Sequence, residues 1–187
     1  MISIVIPIHD MQGGADFLWR SINALTAQTF TDWELIITKD GKMAENTNSG
    51  IKRAHGELIK ILYLDDYLSH PNALKDMVEV IGDADWLICG TDNNPNPYWT
   101  DDIETGNNKL GSPSALMIRN DNPLLFDETL SWLLDCDYYK LMNERCGKPV
   151  ILNGNYVTLG IGEHQMSHIL TDAEKVSEAQ YLKGKYE

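Results

Sequence analysis

The sequence has few cysteines, few basic residues for its number of acidic ones, and no long apolar run. Its three cysteines, Cys89, Cys136 and Cys146, are odd in number and form no CxxC pair. This usage argues against a disulfide framework or a structural zinc site. No run of about 18 uncharged apolar residues could span a bilayer, and the first residues do not resemble a secretory leader. We therefore expect a soluble, cytoplasmic protein without a transmembrane segment.

The charge balance excludes one large class of partner. The 187 residues include 15 Lys and Arg against 28 Asp and Glu, which gives a formal net charge of -13 at pH 7. A nucleic acid is held by clustered cations, so no nucleic-acid partner is expected. The same charge disfavours docking on an anionic membrane surface. Many of the acids can form a solvated surface, but a few well-placed carboxylates could hold a divalent cation.

Apolar runs alternate with helical patterns along the first two thirds of the chain. The strand-like runs are Ile2–Pro7 and residues 35–38, 58–64, 86–89 and 114–118. The helical patterns are carried by Leu18, Ile22 and Leu25, by residues 44–54, by Leu74, Met77, Val78 and Ile81 after Pro71, and by residues 135–146. This alternation predicts one α/β domain with a mostly parallel sheet and helices on both faces. Ligands bind beyond the carboxyl ends of the strands in such folds.

Three further segments have weaker patterns. Residues 91–113 are rich in Asn, Asp, Gly and Pro, which predicts a hairpin or a mobile lid over a site. Residues 150–152 and 156–161 are typical of a closing pair of strands. Residues 171–181 predict a short polar helix at most.

Carboxylates follow the first three strand-like runs. They are Asp10, Asp40, Asp65 and Asp66, and the topology predicts that they meet at one edge of the sheet. Two adjacent buried carboxylates are costly unless a cation neutralises them. The Asp65-Asp66 pair therefore indicates Mg²⁺ or Mn²⁺ held jointly with substrate phosphates. The alternative is that the pair only forms the turn before Pro71.

Blocks of sequence along nearly the whole chain resemble one known family. They are IVIPIHD and residues 27–41, 48–59, 64–74, 112–119 and 126–139. In this order and spacing they resemble the family 2 glycosyltransferases of the GT-A fold. The resemblance implies a Rossmann-like nucleotide-diphospho-sugar transferase fold and metal-dependent, inverting transfer of a sugar, commonly from a UDP-sugar, to an acceptor hydroxyl. Residues 1–90 would bind the donor, residues 91–170 would hold the acceptor and catalytic groups, and residues 171–187 would be a tail.

The resemblance also implies roles for residues of the donor site. Pro7 and His9 would border the nucleobase, and Asp40 would accept a hydrogen bond from its N–H edge. Asp65 and Asp66 would divide the ribose contact and the metal between them, and both orders remain open. Asp10, in the donor-binding set, stands where relatives have Asn.

Two other positions also depart from the family pattern. Lys39 replaces the first Asp of the usual Asp-Asp-Gly, and the acidic motif reads Tyr63-Leu64-Asp65-Asp66 without the first acid that many relatives have.

Catalytic and acceptor residues are implied in the second half of the chain. Asp135 matches the carboxylate that removes the acceptor proton, with Asp137 as the alternative two residues on; a helix N-cap is the other interpretation of either. His164 corresponds to a late histidine near the metal. Trp99 and Trp132 could stack on the apolar face of a sugar.

The acceptor stays open among a glycan, a lipid-linked sugar and a protein side chain, with polysaccharide biosynthesis as the expected setting. A binding module that keeps the nucleotide-sugar pocket without catalysis is the main alternative function. A nucleotidyltransferase is disfavoured because Gly13-Gly14 gives only a weak version of a Gly-rich phosphate loop. A dinucleotide-dependent dehydrogenase is disfavoured because no GxGxxG follows the first strand.

Overall fold

A computed structural model of the protein describes residues 1–162 and 165–187, and within them the chain forms one seven-stranded sheet with flanking helices. The strands are β1 Ile2–Pro7, β2 Trp33–Thr38, β3 Leu58–Ile61, β4 Tyr67–Leu68, β5 Trp86–Thr91, β6 Leu116–Arg119 and β7 Val150–Thr158. The helices are α1 Gly14–Thr26, α2 Met43–Lys52, α3 Ala73–Ile81, α4 Leu134–Cys146, α5 Met166–Ile169 and α6 Asp172–Tyr186. Single 3₁₀ turns lie at Ile103–Thr105 and Pro113–Ala115.

The sheet is mixed, with the strand order β2-β1-β3-β6-β5-β7-β4. β1 is parallel to β2 and β3, and β5 is parallel to β7. β6 is antiparallel to both of its neighbours, β3 and β5, and β4 is antiparallel to β7. The α/β class predicted from the sequence is confirmed. The sheet is less parallel than predicted, because a short apolar run such as β6 has the same pattern in either direction.

This topology brings many chain segments to one edge of the sheet. The carboxyl ends of β1, β2, β3, β5 and β7 lie at this edge, and so do the amino ends of the antiparallel strands β6 and β4. The residues before β6 and β4 therefore lie near those that follow β1, β3 and β7. Any site at this edge can draw on side chains far apart in sequence.

The central strands are covered on both faces, as their unbroken apolar sequences predict. Every residue of β1 and of β5 is buried. Helix α2 lies directly on β1, since a Cβ at Gly50 would be 2.2 Å from Cγ1 of Val5. This close approach requires glycine at position 50 and sets α2 against the end of β1.

The predicted closing pair of strands is wrong, because residues 150–158 form the single strand β7. The Asn153-Gly154-Asn155 sequence looks like a turn, but Gly154 has φ of 130° and its N–H donates to the Pro95 carbonyl at 2.8 Å. The register of β7 against β5 shifts there, between Cys89 and Thr91. The glycine therefore serves a β-bulge and not a hairpin.

The segment between β5 and β6 is not a hairpin, which was one of the two structures predicted for residues 91–113. Residues 92–112 contain no strand, and their only regular element is the 3₁₀ turn at Ile103–Thr105. Ile103 and Leu110 are buried, so the segment packs on the core through two apolar anchors.

The tail is a longer and better anchored helix than predicted. Helix α6 has 15 residues and begins with a capping box, in which Thr171 and Glu174 exchange hydrogen bonds between side chain and backbone. The T-x-x-E spacing is a sequence signal for this start. Leu182 is fully buried against the rest of the protein. The prediction ended too early because few apolar residues mark the buried side of this helix.

The lengths of the helices and the state of the cysteines complete the description of the fold. In the part of the chain that the structure describes, every helix is too short or too polar to cross a bilayer. Cys89, Cys136 and Cys146 are free thiols, the first two buried in the core.

Candidate active site

A cavity of about 680 Å³ opens at the edge where β1 and β3 end. Its volume lies in the range of small-molecule and cofactor sites. Of the predicted site residues that the structure describes, those lining the cavity are Pro7, His9, Asp65, Asp66, Trp132 and Asp135. Candidates from the first, second and third quarters of the sequence thus share one cavity.

The turn between β3 and β4, residues 63–66, is named the acid turn here. The N–H of Asp66 donates to the carbonyl of Tyr63 at 2.9 Å and closes it. Helix α1 supports it from outside the sheet, since Arg20 Nη2 donates to the Asp65 carbonyl at 2.5 Å and Ser21 Oγ to the Asp66 carbonyl at 3.0 Å. These contacts are made with backbone carbonyls and hold the backbone of the turn in place.

Asp66 is the buried member of the acid turn, with 4% of its surface exposed. Burial raises the pKa of Asp66 to about 7, with a further upward contribution from the adjacent Asp65 carboxylate. Hydrogen bonds from Ser114 and Gly160 and the charge of Lys60 offset only part of this rise. The folded protein therefore holds this carboxyl near the boundary between its neutral and ionised forms at neutral pH.

Gly160 connects the end of β7 to the acid turn. Its N–H donates to Asp66 Oδ1 at 2.8 Å. A Cβ at this position would lie 2.5 Å from the Asp65 carbonyl oxygen and 2.6 Å from its Cβ. Only glycine allows β7 to approach the two acids this closely.

A buried polar group lies under the acid turn. Ser114 Oγ accepts the N–H of Tyr63 at 2.8 Å. The fully buried ammonium group of Lys60 donates to the carbonyls of Ser114 and Leu116, and burial lowers the pKa of Lys60. A positive charge on β3 thus lies below the acids and is hydrogen-bonded to the chain that precedes β6.

The acid turn fits a divalent cation that also binds substrate oxygens. Among residues 1–162 and 165–187, no group of three or more His, Cys, Asp or Glu side chains is arranged to hold a metal ion by itself. Mg²⁺ and related ions commonly use one or two carboxylates together with substrate phosphates. Asp65 and Asp66 provide that number of hard oxygen ligands at the cavity wall. His164 lies outside the described residues.

Asn46 joins the two loops beside the predicted nucleobase position. Its Nδ2 donates to the Ile8 carbonyl at 2.8 Å, and its Oδ1 accepts the Asp40 N–H at 2.9 Å. The Asp40 carboxylate accepts from Ser49 at 2.6 Å and from Arg53 at 2.8 Å. Asp40 therefore bonds to α2 and does not line the cavity, whereas Gly41 and Lys42 beside it do.

Two of the departures from the family pattern contact each other. Lys39 Nζ lies 2.7 Å from Asp10 Oδ1, in an exposed ion pair between the loops after β2 and β1. The Lys39 hydrogen bond and charge lower the pKa of Asp10. Asp10 lies outside the cavity lining. Where relatives have Asn and Asp, this chain has Asp10 and Lys39, and their ion pair links the two loops.

Asp135 lies in the first turn of α4 and faces the cavity. Asn108 Nδ2 donates to its Oδ2 at 2.7 Å, and the Cys136 N–H donates to its Oδ1 at 2.8 Å. Burial raises the pKa of Asp135 in spite of these hydrogen bonds. A carboxylate with a raised pKa is a better proton acceptor near neutral pH.

Asp137, two residues along α4, has a different environment. Its side chain is completely buried, Tyr186 Oη donates to its Oδ1 at 2.6 Å, and Lys185 Nζ lies 2.8 Å from the same atom. It does not line the cavity. The geometry therefore favours Asp135 over Asp137 as the group that reaches a bound substrate.

The two predicted acceptor residues, Trp132 and Trp99, lie in different parts of the protein. Trp132 lines the cavity, and Lys175 Nζ lies 5.9 Å from the centre of its ring. Trp99 packs edge-on against Trp86, with ring centroids 6.4 Å apart, and its indole N–H donates to Asp101. Trp99 thus packs on the core away from the cavity lining.

Several residues that shape the site were not singled out from the sequence. Asn46, Asn108 and Gly160 position loops or carboxylates of the cavity, and Glu178 on α6 contacts the chain just before α4. A glycine inside the last predicted strand, residues 156–161, was a usable signal for Gly160, because such a glycine often marks a close backbone approach. Asn46, Asn108 and Glu178 act through contacts with residues 38, 27 and 46 positions away, which no local pattern reveals.

Comparison with solved structures identifies the fold. Staphylococcus aureus TarS 1-349 in complex with UDP aligns over 99% of this chain and 71% of its own, with 16% identity and a TM-score of 0.68. The UDP-GlcNAc complex of the same fragment aligns over 97% and 64%, with 19% identity and a TM-score of 0.68. The mannosyltransferase PcManGT of Pyrobaculum calidifontis, in complex with GDP-Man and Mn²⁺, aligns over 87% and 57%, with 11% identity and a TM-score of 0.62. The chain has the GT-A nucleotide-sugar transferase fold.

Sequence comparison adds one partial match. An uncharacterized glycosyltransferase of Rickettsia conorii, RC0461, is 27% identical over 66 residues, which are 35% of this chain and 10% of that protein. No protein-family model matches the chain. The chain therefore spans a small part of this relative and between 57% and 71% of the solved structures named above.

Proposed function

We propose that the protein transfers a sugar from a nucleoside-diphosphate donor, a UDP-sugar, to an acceptor hydroxyl with inversion at the anomeric carbon. The observation that carries the proposal is the shared cavity, in which the acid turn and the half-buried Asp135 both contribute to the wall at the carboxyl edge of a GT-A sheet. The acids of the turn suit the diphosphate end of a donor, and Asp135 suits the acceptor end.

The nucleotide would lie where β1 ends. Pro7 and His9 line this part of the cavity, together with Gly41 and Lys42 after β2. The TarS complexes contain UDP and UDP-GlcNAc, which supports a uridine nucleotide as the first donor to test. A GDP-sugar is the second, because PcManGT is in complex with GDP-Man.

Asp65 and Asp66 would hold Mn²⁺ or Mg²⁺ against the diphosphate. Bound there, a divalent cation offsets the negative charge that grows on the departing nucleoside diphosphate. The presence of Mn²⁺ in the PcManGT complex supports this cofactor. The raised pKa of Asp66 supports it too, because a buried acid next to another acid is stabilised in its ionised form by a cation.

Asp135 would act as the general base. The acceptor oxygen attacks the anomeric carbon, the bond from that carbon to the diphosphate oxygen breaks, and its electron pair leaves with the nucleoside diphosphate. Asp135 takes the proton of the acceptor hydroxyl, and Asn108 orients it through the hydrogen bond to Oδ2. Attack opposite the leaving group inverts the anomeric centre in one step. Trp132 on the same wall offers a flat apolar surface for the acceptor, for which a glycan hydroxyl is our first candidate.

The donor site is tested by calorimetric titration of UDP with and without Mn²⁺. We expect the wild type to bind UDP only with the metal, Asp66→Ala to lose this binding, and the exposed-residue control Asp83→Ala to retain it. If neither UDP nor GDP binds with any divalent metal, the donor-site proposal is wrong.

The catalytic half is tested with Asp135→Asn. Loss of a general base costs roughly 100- to 10,000-fold in rate, so we expect turnover of a UDP-sugar to fall by that range while the Kd for UDP stays unchanged. Tight UDP binding by a wild type that never turns over a donor would instead support the binding-module alternative, which the incomplete acidic motif keeps open.

A further inference from the structure

Helix α6 contacts the segment that leads into α4 through one carboxylate. Glu178 Oε1 accepts the N–H of Ser131 at 2.8 Å, and Oε2 accepts the N–H groups of Trp132 and Leu133, each at 2.9 Å. These are consecutive donors just before the first turn of α4. Backbone N–H groups at a helix start have no partner within the helix, and an anion is favoured there.

A second set of contacts joins α6 to the chain on either side of residues 131–133. Lys185 lies between Asp127 and Asp137, with N–O distances of 2.9 and 2.8 Å. Tyr181 Oη donates to Asp127 at 2.8 Å, and Tyr186 Oη donates to Asp137. We name these contacts and those of Glu178 the α4–α6 junction. The junction holds the chain before, at and after residues 131–133.

The residues held by the junction form part of the cavity wall. Ser131, Trp132, Leu134 and Asp135 all line the cavity, so any rotation of the turn before α4 moves them together. Glu174, one turn before Glu178 on α6, lines the cavity as well. Helix α6 is therefore continuous with the wall that carries the proposed base.

We propose that Glu178 is a positioning residue for transfer: its carboxylate fixes the turn at residues 131–133 and so sets Trp132 and Asp135 toward the bound donor and acceptor. The inference rests on the proposed function, because it concerns the approach of the base to the acceptor hydroxyl. Glu178 follows Asp135 by some 40 positions in the sequence, and the proposal gives both residues a part in the same catalytic step.

A purely stabilising role and a positioning role make different predictions. A capping carboxylate contributes about 1 kcal/mol to helix stability in general, and its loss by itself lowers the unfolding midpoint without selective loss of turnover. A displacement of the base by about 1 Å can cost on the order of 100-fold in rate. The two roles are therefore separated by measuring kcat apart from donor affinity.

The test is Glu178→Gln, which keeps the size of the side chain but removes its charge and turns an NH₂ group toward at least one backbone donor. The matched control is Glu79→Gln, an exposed glutamate on α3 that pairs only with Lys75 in the described contacts. We expect kcat for UDP-sugar turnover with Mn²⁺ to fall roughly 10- to 100-fold, with the Kd for UDP unchanged. Amide hydrogen exchange at residues 131–133 should accelerate, and Glu178→Asp should give an intermediate kcat.

Different results overturn different parts of the account. If Glu178→Gln turns over the donor as fast as Glu79→Gln, the positioning role is wrong even where amide exchange accelerates. If UDP affinity falls in parallel with kcat, the residue supports the donor site or the whole fold, and the inference is also wrong. A wild type that neither binds UDP nor turns over a donor removes the proposed function first, and this inference with it.

Discussion

The acid turn and the α4–α6 junction each bury an aspartate, but with opposite neighbours. Asp137 in the junction is completely buried and bonded to Lys185 and Tyr186. Asp66 in the acid turn is almost as buried and lies beside a second carboxylate, Asp65. Burial alone would lower the pKa of Lys185, but its hydrogen bonds to Asp137 and Asp127 outweigh this and raise it. Asp137 thus has an ammonium group of its own chain in direct contact.

The comparison separates a structural from a ligand-binding use of the same residue type. A buried carboxylate with a cation from its own chain contributes to a folded protein that is complete without a ligand. A buried carboxylate beside another acid leaves a local excess of negative charge, and a bound cation relieves it. Removal of one charged group, the cation in the junction or a carboxylate in the acid turn, should therefore have opposite effects on stability in the two regions.

The largest expected effect on stability comes from removing the cation of the junction. Lys185→Met leaves Asp137 buried beside Asp127 without its ion-pair partner, and uncompensated buried charges cost about 3 to 5 kcal/mol. Urea denaturation at neutral pH measures the change. The control Lys183→Met removes an exposed i,i+4 pair with Glu187 and should change little. Equal stability of the two variants would contradict the structural role of the junction.

In contrast, Asp66→Asn should increase the stability of the metal-free protein at pH 8. The pKa of Asp66 is raised from its ordinary 3.8 to about 7, so between these values the folded protein holds a proton that the unfolded chain releases. Stability of the wild type therefore falls as pH rises through this window. At about 1.36 kcal/mol per pKa unit, the amide should stabilise the fold by on the order of 4 kcal/mol at pH 8.

The gain from Asp66→Asn should shrink as pH falls and disappear below about pH 3, where the wild-type carboxyl is protonated in both states. Urea denaturation at several pH values measures it, with the exposed Asp83→Asn as control. A gain that does not depend on pH would show that charge burial is not its cause.

Substitutions at two glycines should change stability less, and again in opposite directions. At Gly160 an added Cβ would be 2.5 Å from the Asp65 carbonyl oxygen, so Gly160→Ala must displace the acid turn. Such overpacking costs about 1 to 3 kcal/mol, and UDP–Mn²⁺ affinity should fall with it.

At Gly184 in α6 nothing lies within 4 Å of an added Cβ. Gly184→Ala should therefore stabilise by about 0.5 to 1 kcal/mol, as in other helix interiors. Thermal or urea unfolding of both variants and UDP titration decide the point.

The smallest effect is expected at the exposed Asp10–Lys39 pair, which resembles neither buried region. Lys39→Ala should leave the urea midpoint unchanged, because exposed ion pairs are weak and screened by salt. A clear loss of stability or of UDP affinity would show that this link orders the loops after β1 and β2.

Much of the donor half could be predicted from the sequence. Unbroken apolar runs identified β1, β3 and β5, and the rule that ligands bind beyond strand ends brought Asp65 and Asp66 to the edge where the cavity lies. The resemblance to a known family added Asp135. The hairpin alternative for residues 91–113 and the closing strand pair were wrong, because glycine- and asparagine-rich sequence also forms bulges and packed loops. Only tertiary contacts, such as the hydrogen bond from Gly154 to Pro95, distinguish these cases.

The sequence by itself determined the α/β class, the positions of the central strands and the presence of an acid pair after the third one, because these depend on local hydrophobic pattern and spacing. The tertiary structure decided the direction of β6, the separation of Asp135 from Asp137, and the contact of Glu178 with the turn before α4. Each of these depends on which distant segments meet. Hydrogen bonds and charges between residues more than 40 positions apart leave no periodic pattern in the sequence, so only the folded chain reveals them.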